Sequence, residues 1–77
     1  MGRVHVENFS GLRGKSYIKY FVGYASRGRL RDKTYHKYKG TAMKRAHQLK
    51  NECRGPVEIW KVDHKTETLK LIETLIP

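Results

Sequence analysis

The chain has 77 residues, with 17 Lys and Arg against 7 Asp and Glu, a formal net charge of +10. That length holds one domain around one small core. A single cysteine, Cys53, rules out an intrachain disulfide, and no stretch reaches the ~20 apolar residues of a membrane span.

The N-terminus, MGRVHVENF, has no apolar run of signal-peptide length, and Val6 stands where myristoylation needs Ser or Thr. The expectation is a soluble, cytoplasmic protein. Val4 and Val6 flank His5 and predict a short strand. Asn8 to Lys15, with two glycines, predicts a loop that tucks Phe9 and Leu12 onto the core.

Ser16 to Ala25, SYIKYFVGYA, is rich in aromatic and β-branched residues and predicts the central strand. Ile18, Tyr20, Val22 and Tyr24 fall on one face; Tyr17, Lys19, Phe21 and Gly23 fall on the other. Gly23 predicts a bulge or a close backbone approach. Ser26 to Lys33, SRGRLRDK, predicts a basic loop, and Thr34 to Lys39 a second strand.

Gly40 to Pro56 predicts a helix. Thr41 suits its N-cap, and Ala42, Ala46, Leu49 and Cys53 line one face with Met43 beside them. Gly55 and Pro56 supply the stop. Lys44, Arg45, His47, Gln48 and Asn51 fill a basic outer face. Cys53 reads as a small buried hydrophobe.

Val57 to Asp63 predicts a strand and Asp63 to Thr66 a turn. Glu67 to Ile76 fits both a strand and a short helix; the hairpin-like DHKT before it favours the strand. The fold class is therefore α+β. It is a small antiparallel sheet of about five strands, in the order β-β-β-α-β-β, with one amphipathic helix packed on one face and the other face partly open.

The charge is unevenly placed. Residues 1–54 hold 14 basic and 3 acidic side chains, and residues 55–77 hold 3 and 4. A basic working surface with a near-neutral completing piece points to a polyanionic partner. The candidate contact residues are Arg13, Lys15, Arg27, Arg29, Arg31, Lys33, Lys37, Lys39, Lys44 and Arg45. Arginine forks suit phosphate, and tyrosine or phenylalanine interleaved with them can stack on unpaired bases. The structural alternative is that Tyr17 and Phe21 pack under the C-terminal hairpin and the helix face only keeps the domain in water.

Catalytic and metal-binding patterns are absent from the sequence. His5, His36, His47 and His64 lack zinc-ligand spacing, and no second cysteine completes a zinc set. No Walker-type loop or carboxylate pair stands out. The expectation is a non-enzymatic binding module with no cofactor, metal, small-molecule substrate or membrane partner. Its partner would be nucleic acid, DNA or RNA, or else an acidic protein, and it would act as a monomer or homodimer.

From Lys15 to Glu52 the predicted order is strands and then a helix, with arginines in the hairpin turn. This is similar to the sheet-and-helix domains of plant AP2-type proteins and the arm-binding domains of tyrosine recombinases. The resemblance implies a sheet placed in the DNA major groove. The helix departs from the recombinase pattern, being basic at Lys44, Arg45 and Lys50, and the C-terminal hairpin has no counterpart. In size, charge and lack of a catalytic set, the chain also resembles small early bacteriophage proteins. That likeness implies a host-takeover role in which an acidic host protein is bound and inhibited or redirected.

Overall fold

The computed structural model describes residues 7–77. Within them four strands and one helix follow in the order β1 (Tyr20–Ser26), β2 (Arg29–His36), α1 (Lys39–Glu52), β3 (Val57–Asp63) and β4 (Thr68–Leu75). The strands form one antiparallel sheet in the order β2-β1-β3-β4. The fold class is α+β, as the sequence predicts, with four described strands in place of about five. The predicted strand at Val4–Val6 lies outside the described residues.

The sheet faces follow from strand alternation. Tyr20, Val22 and Tyr24 of β1 stand opposite Lys61, Ile59 and Val57 of β3 and look toward α1. The helix sends Ala42, Ala46 and Leu49 onto this face, where Val22, Val57 and Ile59 are fully buried. Small alanines let the helix approach the sheet closely, and Leu49 fills the gap that remains.

The opposite face carries a row from edge to edge: Tyr35, Phe21, Trp60 and Leu71. This face is not open at its centre. The segment before β1 folds over it, and Phe9, Leu12 and Ile18 join Phe21, Leu30 and Val62 in a second core. Phe21 stacks on Trp60 with ring centroids 5.9 Å apart and planes 5° apart, and tilts against Tyr35 at 6.0 Å. Phe9 and Leu12 thus behave as predicted. Ile18 sits before the strand, in the turn region, so it joins Phe21 and not Tyr20.

Several boundaries are corrected. The expected basic loop at Ser26–Lys33 is only a two-residue turn, Arg27–Gly28, with the rest in strands. Both turn residues have positive φ, 53° and 77°, which matches the twist of a two-residue hairpin. The helix N-cap is Tyr38, and Thr41 instead donates its hydroxyl to the Tyr38 carbonyl oxygen at 2.9 Å. The left-handed residue that ends the helix is Cys53, at φ 56°. That twist turns the Cys53 side chain outward, so it is exposed and not buried. Gly55 has a different role: a Cβ there would collide with the Ala25 carbonyl oxygen. Gly23 marks the predicted bulge, where a Cβ would meet the Arg31 carbonyl oxygen at 2.8 Å.

Candidate nucleic-acid interface

Among the described residues β2 stands at the end of the sheet, with β1 as its one strand neighbour. Its sequence, RLRDKTYH, is the most basic of the four strands. Between β2 and the covering N-terminal segment runs a cleft of about 440 Å³. Arg29, Lys33 and Tyr35 line its β2 wall, Phe21 and Leu12 line its floor, and Glu7 and Asn8 close the far side.

The Tyr35 ring is 48% exposed and supported from behind by Phe21. An aromatic ring held that way offers a flat apolar surface with a polar tip. Lys33 Nζ lies 5.8 Å from the Phe21 centroid and 3.2 Å from a Glu7 carboxylate oxygen. Glu7 therefore fixes the Lys33 ammonium and offsets part of the positive charge of the cleft. Arg29 stands at the hairpin end, exposed, and Arg27 occupies the tip.

The other proposed contact residues divide. Arg31 lies opposite Tyr24, toward the helix side, and its Nε donates to the Ser26 carbonyl oxygen at 3.2 Å. Asp32, in the left-handed conformation at φ 55°, accepts from Arg45 at 3.1 Å. Arg45 also reaches Gln48, while its Nε is buried without a hydrogen-bond partner among the described residues. Lys37 lies over the Tyr38 ring at 5.5 Å, and Lys39 opens the helix. Lys44 is exposed on the helix.

Arg13 is at the far end of the sheet, where it pairs with Glu67 at 2.7 Å and covers Phe9. Lys15 is exposed in the N-terminal segment. The structure thus brings Arg29 and Lys33 to one cleft wall with Tyr35, with Arg27 at the hairpin tip beyond it and Arg31 opposite Tyr24 on the same strand. It does not bring Arg13, Lys15 or Lys44 to them. Ten cations chosen from the sequence do not form one cluster, because alternation and the bulge send β2 side chains to both faces.

Sequence reasoning did not find Glu7 or Asn8, which reach the cleft only because the N-terminal segment folds back. Tyr17, one of the aromatics proposed for stacking, is 61% exposed and lies outside the strand. Trp60 stacks on Phe21, and its Nε1 donates to Glu58 at 2.9 Å. No described group of three or more His, Cys, Asp and Glu side chains could hold a metal ion. Among the described residues no helix is long and apolar enough to cross a membrane.

His36 ends β2 beside the helix, its Nε2 2.8 Å from Thr34 Oγ1. Burial lowers its pKa below the usual 6.5, and the Arg45 charge lowers it further. The unfolded chain therefore takes up this proton first as pH falls. The contribution of neutral His36 is present above about pH 6.5 and is lost as pH drops below it. The urea midpoint is expected to fall between pH 7 and 5.5, and His36→Gln to flatten that slope. An unchanged slope in the variant would assign the effect to other groups.

Comparison with protein-family models, with curated proteins and with solved structures gave no match.

Proposed function

We propose that the chain is a non-catalytic nucleic-acid-binding module that holds an unpaired segment along β2. The observation that carries this reading is the cleft whose β2 wall holds Arg29, Lys33 and the half-exposed Tyr35 ring in a row. A base stacks on Tyr35, the phosphate beside it meets Lys33, and phosphates farther along the ligand meet Arg29 and the Arg27 tip. Base–aromatic stacking is worth about 1–3 kcal/mol per base, and the guanidinium forks add paired hydrogen bonds to phosphate. The cations of this wall and the Tyr35 ring face the same strand of ligand.

Cations on an edge strand also keep sheets from pairing with each other. That reading explains charge on β2 but gives no reason for an exposed aromatic ring beside it. The test is an anisotropy titration at low salt with single strands and duplexes of DNA and RNA. Binding to single strands in preference to duplexes is expected. No binding to any of them would remove the reading. So would recovery of one stoichiometric acidic protein from nuclease-treated lysate by a surface that ignores oligonucleotides.

Glu7 supplies a second check. Glu7→Gln releases the Lys33 ammonium for phosphate and should tighten single-strand binding by about 2–5-fold, the worth of one exposed charge pair. Weaker binding in this variant would mean that Glu7 serves the ligand directly.

A further inference from the structure

The pairing register sets three polar residues side by side across the helix-facing side of the sheet. Tyr20 of β1 stands opposite Lys61 of β3, and Lys61 stands opposite Lys70 of β4. Like charges directly opposed across an antiparallel pair repel each other. The chain nevertheless adds a third cation: Lys39, the first residue of α1, lines the same space. Together they bound a cavity of about 360 Å³ whose remaining wall is Asp63, Thr68 and Ile72.

None of the three lysines forms an ion pair or hydrogen bond among the described residues. Five of the seven acidic residues are engaged elsewhere: Glu7, Asp32, Glu52 and Glu67 pair with Lys33, Arg45, Arg54 and Arg13, and Glu58 accepts from Trp60 Nε1. Asp63, the one carboxylate on the cavity wall, is turned into its own hairpin, where Oδ1 accepts from the Lys65 and Thr66 amides at 2.9 and 3.3 Å. Asp63 lies within reach of the Lys61 charge, so the described lining sets three cations against one carboxylate, an excess of positive charge. The cavity floor is the side of the sheet opposite the Tyr35 cleft, so the site does not depend on the function proposed for that cleft.

We infer that the cavity between Lys39, Lys61 and Lys70 is a binding site for a phosphate group, with the Tyr20 hydroxyl as an additional hydrogen-bond donor. Three ammonium groups on separate elements suit a compact multivalent anion, because each is a point charge with freely rotating donors. A dianionic phosphate relieves the Lys61–Lys70 repulsion that the register imposes. Two sources share this chemistry: a free phosphate or pyrophosphate ion, and the terminal phosphate of an oligonucleotide.

The test is thermal unfolding of the full chain in phosphate or pyrophosphate, compared with chloride at the same ionic strength. The wild type should gain roughly 6–11 °C at tenfold saturation, since ligand binding to the folded state alone shifts its midpoint by mass action. Lys61→Gln with Lys70→Gln should abolish the gain, and should itself melt higher than the wild type in chloride. Arg29→Ala, in the other cleft, should keep the gain. Equal gains in chloride, or a gain retained by the double variant, would overturn the inference. A parallel titration compares 5′-phosphorylated and 5′-hydroxyl oligonucleotides. A preference for the phosphorylated end that the double variant loses assigns the site to nucleic-acid ends; equal affinity for both, with pyrophosphate still binding, assigns it to the free ion.

Discussion

Phe21→Ala is expected to cost about 3–5 kcal/mol, the usual penalty for truncating a buried phenylalanine. A 77-residue chain has about 4–12 kcal/mol of stability at most common values. The substitution therefore removes a large fraction of it or all of it. Phe21 is 2% exposed, lies at the centre of the sheet and touches rings on both neighbouring strands. It also supports the covering segment through the cluster with Phe9, Leu12 and Ile18. No backbone shift closes such a void, because β1 is held by hydrogen bonds on both sides. Urea unfolding with fluorescence of Trp60 reads the loss. Phe21→Leu, which keeps most of the volume, should cost far less. A loss below about 1 kcal/mol for the alanine variant would mean that the second core contributes little and that α1 alone holds the sheet.

The second large effect concerns binding. Affinity for single strands should fall steeply with salt, with a slope of log K against log salt near −0.7 for each phosphate contacted. Replacing Arg27 by Asn and Arg29 by Ala should make that slope shallower by about 1.4 and weaken binding by one to two orders of magnitude at low salt. Asparagine tolerates the positive φ of the turn better than most residues, so the hairpin is retained. A change in affinity with no change in slope would show that the arginines act through structure and not through phosphates. The slope is the useful readout, because a destabilised variant loses active protein without changing the number of counterions released.

Parts of this architecture are legible in the residues. Ala42, Ala46 and Leu49 repeat at helical spacing, and the apolar stripe could only face a sheet. Val57 to Asp63 alternates cleanly because one face is buried under the helix and the other is half covered. β2 begins at Arg29 and not at the expected Thr34 because RLRDK has no apolar alternation: an outer strand buries little, and a bulge at Gly23 disturbs the period. The helix ends two residues before the expected Gly55 because a non-glycine residue, Cys53, takes the left-handed turn. The cleft depends on Glu7 and Asn8 folding back onto β2. The opposed lysines depend on a register between strands. Neither is written in local spacing. The likeness to three-stranded DNA-binding sheets also assumed that the helix follows a complete sheet. Here the helix instead separates the two hairpins, and the central pair β1–β3 forms across it.

That connectivity governs how the chain reaches its native state. The β1–β2 and β3–β4 hairpins close through short local turns, but β1 must meet β3 across the whole of α1. Closing the longer loop is entropically the dearer step, so association of two preformed hairpins, clamped by the helix, sets the pace of folding. Substitutions at the Tyr20–Lys61 to Tyr24–Val57 seam should therefore slow refolding, while those at the Arg27–Gly28 turn should mainly alter how fast the first hairpin nucleates.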